Sequence, residues 1–359
     1  MRIRQIRYVV PVIIIVLLGC ASAPDTKPVN RDEVVVFPLP PAQPRIQYLT
    51  KFTTASDLKP PGKLQRFLFG GNSGTAQVLQ KPYGITVHDN TLYVCDTKLN
   101  AIALLNLRDH TFRMFRPGGL GVLRKPVNLT LDNQGNLYIA DTGRNQVVVF
   151  SKEKRFVRAI SNESFQPLDV EIVGDSLLIA DYTDRNIEVY SLRDSTFLNP
   201  LPAVSNLDSI SHRLFVPYSI TTDLQRNIYV TDFAQAKIIK YSPRGKYLRS
   251  FGGLGRSLGK FARPKGLAVD RENRLYVVDS MFENVQMFDA DGNLLMFFGG
   301  HYENPGDMYL PAQIYIDYNG IKFFNKYVLP GYSIKYLIYV TNQFGPDKVA
   351  VYGFLAPSK

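Results

Sequence analysis

Residues 263–300 read RPKGLAVDRENRLYVVDSMFENVQMFDADGNLLMFFGG. Four short apolar runs stand in this stretch: GLAV at 266–269, LYVV at 275–278, NVQMF at 284–288 and LLMFF at 294–298. Each has the length and β-branched or aromatic content of a strand, and none is long enough for a helix with a buried stripe. The intervening segments 270–273, 279–283 and 289–293 are rich in the Asp, Asn and Gly that form tight turns. The reading is four antiparallel strands joined as successive hairpins.

The same pattern recurs along the chain. Copies begin at Pro82, Pro126, Pro167, Pro217, Pro264 and Pro311, spaced by 44, 41, 50, 47 and 47 residues. A repeat of about 45 residues holding four strands is the unit of a β-propeller. One such sheet cannot bury both faces, whereas six arranged around an axis can. The sequence therefore predicts an all-β, six-bladed propeller with four-stranded blades. The sixth copy ends in VAVYGFLAPSK without a fourth run, and an unmatched strand, RIQYLTKF at 45–52, precedes the first copy. That N-terminal strand is expected to close the last blade. Length alone would suggest two or three domains for 359 residues, but the repeat assigns 45–359 to one ring.

The copies resemble the NHL repeat family. Copy five carries Pro264, Gly266 and Asp270, then Leu275-Tyr276-Val277 with Asp279, then Asn284 and Phe288. Copy two is close, with Asp132, Asp141 and Asn145. The resemblance covers about 81–354 and implies the propeller fold, while NHL propellers serve many functions. The segments PPAQPRIQYLTKF and KLQRFLFGG are also similar to a set of uncharacterised bacterial six-bladed lipoproteins.

The N-terminus sets the expected compartment. MRIRQIR is basic, YVVPVIIIVLL at 8–18 is too short to span a bilayer, and Leu17-Leu18-Gly19-Cys20 follows. This resembles the lipobox of bacterial lipoproteins, which implies cleavage after residue 19, lipidation of Cys20 with palmitate-type chains, and stable membrane attachment by two or more anchors. With Ala21 rather than Asp, the resemblance implies the outer membrane of the cell envelope, with the domain facing the periplasm or the surface. Residues 20–44 form a Pro-rich tether in which VVVF at 34–37 is apolar enough to pack on the domain. Loss of Arg2, Arg4 and Arg7 with the signal segment lowers the formal charge from +11 to 11 − 3 = +8. Export removes the nucleic-acid reading that such a charge invites. Cys95, in LYVCD, is left as a small buried hydrophobe.

Repetition separates scaffold from function. Asp96, Asp141, Asp181, Asp232 and Asp279 close the second run of five copies and Asn342 stands there in the sixth. A group needed in every blade is structural, and a strand-end Asp accepts turn amides. The residues two past each Pro are Gly84, Asn128, Asp169, Ser219, Gly266 and Gln313, expected to ring one mouth of the central channel. Asn128, Asp169, Ser219 and Gln313 break the Gly pattern with polar groups, with Lys265 beside them, so these five are the candidate ligand contacts. Six-bladed lactonases hold Ca²⁺ in this channel, and that resemblance makes Asn128 and Asp169 candidate cation ligands. No His–Cys cluster, nucleophile elbow or phosphate loop is present, so no catalytic residue is assigned. The segment 319–336 interrupts the sixth copy and carries Phe323, Phe324, Tyr327, Tyr332 and Tyr336 with three lysines. It is expected to form an extended hairpin projecting from the ring, a candidate interface.

These readings converge on a monomeric, lipid-anchored envelope propeller that binds a protein or glycan, with no cofactor. The alternative is a Ca²⁺-dependent lactonase-like hydrolase using the channel.

Overall fold

The computed structural model describes residues 34–58, 77–201 and 213–358. The signal segment, Cys20, the tether to residue 33, His212 and the segment 63–71 lie outside the described residues. Among the described residues no helix is long and apolar enough to cross a membrane.

Six antiparallel sheets are present. The first five blades open with inner strands Pro82–His88, Pro126–Leu131, Pro167–Val173, Pro217–Thr222 and Pro264–Val269, and each continues outward through three further strands in chain order. The sixth runs from Pro311–Asp317 through Tyr332–Asn342 and Val349–Pro357 to Ile46–Phe52. The N-terminal strand thus closes the last blade, with Ile46 opposite Phe354, Tyr48 opposite Tyr352 and Phe52 opposite Val349. A fifth short strand, Val36–Phe37, pairs outside it, so the apolar end of the tether packs on the ring.

Each inner strand starts with Pro opposite the strand-end Asp or Asn, and its register shifts directly afterwards. Pro fits there because the strand start needs no ladder donor. The bulge turns the residue two places on toward the axis.

The core lies in the seams between blades. Every neighbouring pair shares one apolar cluster, such as Cys95, Ile102, Leu129, Ile139 and Val148 between the first two blades. Cys95 is fully buried and burial raises its thiol pKa well above the usual range. Seams on both sides of the sixth blade draw on the closing strand, through Leu49 and Phe52 toward the first blade and Ile46 toward the fifth.

The segment 319–336 does not project. It folds as two 3₁₀ turns, Ile321–Phe323 and Asn325–Tyr327, before joining the long strand Tyr332–Asn342. Phe324 is 2% exposed and meets Phe52 and Tyr339 edge-on. Tyr336 is equally buried, stacks on Phe354 with ring centroids 4.8 Å apart, and bonds Asp270 at 3.0 Å. Phe323, Tyr327 and Tyr332 are half-buried against the same cluster. Phe324 and Tyr336 are thus withdrawn from any surface, because these rings gain more by sealing the closing blade than by facing water, while Phe323, Tyr327 and Tyr332 keep one side open.

Candidate functional site: a belted channel with two unlike mouths

The four polar residues that break the Gly pattern come together, at the waist of the channel rather than at its mouth. Asn128, Asp169, Ser219 and Gln313 are 7%, 3%, 2% and 8% exposed. The Asn128 amide donates to Asp169 Oδ1, and Ser219 Oγ donates to Asp169 Oδ2 at 2.7 Å. Backbone amides of Val170 and Ile220 donate to the same carboxyl, each at 2.8 Å. Gln313 reaches past Gly266 of the fifth blade, its Nε2 3.2 Å from Ser219 Oγ of the fourth. Only glycine fits at the two remaining positions. A Cβ on Gly84 would lie 2.3 Å from Asn128 Oδ1, and one on Gly266 would lie 2.1 Å from Gln313 Oε1. The six residues therefore form a belt that closes the channel.

This geometry decides how the belt meets the cation expectation. A Ca²⁺ ion needs six to eight oxygen ligands with free lone pairs. Both oxygens of Asp169 already accept two hydrogen bonds, and the Asn128 oxygen accepts the Leu129 amide at 2.9 Å. The residues present at the belt do not fit the ion. Burial, opposed by these four hydrogen bonds, raises the Asp169 pKa to about 7.

Beyond the C-terminal ends of the inner strands opens a cavity of about 590 Å³ lined by Thr86, Thr130, Glu171, Thr221, Thr222 and Tyr315 among others. Burial, together with the charge of Asp169, raises Glu171 to about 8. Asp169 and Glu171 both hold protons more tightly in the folded chain than in the unfolded one, where carboxyls titrate near pH ~4. The folded state then carries the excess protons between about pH 4 and 8, so stability falls as pH rises through that window. The melting temperature is expected to be lower at pH 8.5 than at pH 6, and Glu171→Gln is expected to flatten that slope. Equal slopes for the two proteins would remove Glu171 from this role.

The opposite mouth, at the Pro ends of the inner strands, has another character. A cavity of about 520 Å³ is lined by Lys81, Lys125, Tyr83, Tyr218, Phe233, Tyr182 and neutral polar groups, with no carboxylate among the described residues that line it. Tyr218 stacks on Phe233 at 5.4 Å and lies 6.4 Å from Tyr83. Lys265 sits here, its Nζ 5.4 Å from the centre of the Tyr83 ring. Burial and the nearby Arg263 and Lys81 charges bring its pKa down to about 8. Lys265 stands out in the sequence beside the belt residues, whereas its companions do not. The signal was the pair of positions flanking each Pro, which carry Lys81 and Tyr83 in the first copy, Lys125 in the second, Tyr218 in the fourth, and Arg263 and Lys265 in the fifth.

The strand-end aspartates are scaffold. Asp96 accepts the amides of Gln80 at 2.6 Å and Lys98 at 3.1 Å. Asp279 does the same for Ala262 at 2.7 Å and Met281 at 2.9 Å, and Asn342 accepts the Tyr309 amide at 3.2 Å. Each ties the entry of an inner strand to the turn after the second strand.

Residues 123–150 match the NHL repeat family. No curated protein sequence matches the chain. Among solved structures, a protein of unknown function from Bacteroides thetaiotaomicron is similar at 16% identity and a TM-score of 0.58, covering 87% of this chain and 76% of that one. A gluconolactonase of Xanthomonas campestris is similar at 14% identity and 0.55, covering 87% and 89%. Virginiamycin B lyase of Staphylococcus aureus is similar at 15% identity and 0.51, covering 78% and 85%. At these identities the likeness is one of fold. Six closed sheets and a repeat that spans the first three strands of the second blade make this chain a six-bladed β-propeller carrying an NHL repeat.

Proposed function

We propose that this propeller is a binding module, tethered to a cell envelope through lipid on Cys20, which takes an anionic group of a protein or glycan partner at its lysine-lined mouth. One observation carries the reading: Lys81 and Lys125 line this cavity with Tyr83, Tyr218 and Phe233, Lys265 Nζ lies 5.4 Å from the Tyr83 ring centre, and no carboxylate is among the described residues that line it. An anion beside Lys265 would offset the cost that burial imposes on its charge, which favours such a ligand. Tyr83, Tyr218 and Phe233 supply apolar area at low entropic cost, as aromatic residues do at interfaces. The lactonase alternative has less support. The belt's oxygens are engaged with one another, and its one hydroxyl, Ser219, donates to a carboxyl that three other donors share.

The test is crosslinking in intact envelopes followed by capture of the full-length protein. The wild type is expected to retain a specific partner. Lys81→Glu/Lys265→Glu should lose it by tenfold or more while still sedimenting with membranes, and Cys20→Ser should move to the soluble fraction. Capture unaffected by the lysine changes would overturn the mouth as the binding face. Metal-dependent turnover of lactones by the wild type would favour the hydrolase instead.

A further inference from the structure

The third blade breaks the scaffold rule set by the strand-end aspartates. In the other blades both oxygens of this carboxylate accept amides. Asp141, for example, takes Arg124 N on Oδ2 at 2.7 Å, with Lys125 N at 2.8 Å and Gly143 N at 3.0 Å on Oδ1. Asp232 takes Phe215 N on Oδ2 at 2.6 Å and Gln235 N on Oδ1 at 3.0 Å. Asp181 is fully buried, yet it accepts Gln166 N at 3.0 Å and Thr183 N at 2.9 Å on Oδ1 alone, and its Oδ2 has no hydrogen-bond partner. A buried carboxylate oxygen left unpaired is costly and calls for a ligand.

What surrounds it is more carboxylate. One oxygen each from Asp181, Asp184 and Glu188 lie within 4.8 Å of one another. Glu188 is 5% exposed, while Asp184 faces solvent. Asn186 donates its Nδ2 to Glu188 Oε1 at 2.8 Å, and its own buried Oδ1 is unpaired. None of the three carboxylates is in an ion pair with Lys or Arg among the described residues. Three like charges this close repel unless a cation joins them. The same positions in the second blade are Asp141, Arg144 and Val148, so the cluster is peculiar to blade three.

We propose that Asp181, Asp184 and Glu188, with the Asn186 side-chain oxygen, bind a Ca²⁺ ion at the turn that follows the second strand of blade three. The donor set is all oxygen, which selects a hard cation. It is carboxylate-rich and set in a turn, which suits Ca²⁺ better than the octahedral, water-retaining Mg²⁺. The solvent side at Asp184 leaves room for water ligands. The turn also carries Tyr182, which lines the lysine mouth, so the ion would hold one wall of that cavity. The site is separate from the channel belt and does not depend on the binding reading above.

The test is calorimetric titration of Ca²⁺ into chelator-treated full-length protein, paired with thermal melts. One saturable site is expected, with a dissociation constant on the order of 10⁻⁴ M given its exposed side, and a melting temperature that rises by several degrees in millimolar Ca²⁺. Asp184→Asn keeps the fold, because its side chain is exposed. It should abolish binding and should melt above the wild type without Ca²⁺ but below it with Ca²⁺. That crossing is not expected of a merely structural carboxylate. Glu188→Gln should also lose binding. Absence of saturable binding, or binding unchanged in Asp184→Asn, would overturn the site. Binding lost in Asp169→Asn but kept in Asp184→Asn would also overturn it and place the ion in the channel.

Discussion

Asp169→Ala is expected to destabilise the ring by about 3–5 kcal/mol, the cost of leaving buried donors without an acceptor. The carboxyl accepts four hydrogen bonds, two from the backbone amides of Val170 and Ile220 and two from Asn128 and Ser219. Side chains can turn to new partners, but the amides are fixed by the inner strands. Each unsatisfied amide costs about 1–3 kcal/mol. Some of this returns if water enters the gap, which sets the lower end. The effect should grow as pH falls below 7, because alanine also forfeits the proton that Asp169, with a pKa near 7, takes up in the folded state. Urea unfolding at pH 6 and pH 8 reads both quantities. A cost below about 1 kcal/mol would show that the belt does not hold the inner strands together.

Deleting residues 34–52 is expected to abolish cooperative folding. Ile46, Leu49 and Phe52 are 0%, 7% and 4% exposed and sit in the two seams that flank the sixth blade. At about 1.5–3 kcal/mol for each buried apolar side chain, their loss is roughly 5–9 kcal/mol, comparable with the whole stability of a domain. The deletion also exposes Val349–Pro357 as a long apolar edge open to aggregation. The expected result is a melt without a cooperative transition and recovery mainly as aggregate, with partial rescue by a peptide spanning 34–58. A monomeric variant melting within a few degrees of the wild type would refute the closure.

The repeat made the fold legible. Pro at a strand start, apolar runs of strand length and Asp at the second strand's end each constrain one local choice, and six copies repeat it. The unmatched strand at 45–52 revealed the closure for the same reason. The site was half legible. Departures from the Gly pattern identified Asn128, Asp169, Ser219 and Gln313 as a set, but not their depth. The bulge after Pro aims these side chains at the axis, where they reach one another instead of solvent. Lys81, Lys125 and Tyr218 went unnoticed because residues beside Pro alternate in direction only once the register is known. The segment 319–336 misled because an aromatic run with lysines reads alike on a surface and in a seam. Only the neighbouring Phe52, Tyr339 and Phe354 distinguish them. The free oxygen of Asp181 had no sequence signature, since the same Asp recurs in four other blades.

A ring blocked at its waist is not a conduit but two cups set back to back, one floored by carboxyls and hydroxyls and the other by aromatics under lysines. The cups share no lining residue, so each can be filled without emptying the other. The belt's hydrogen bonds, centred on Asp169, lie between them.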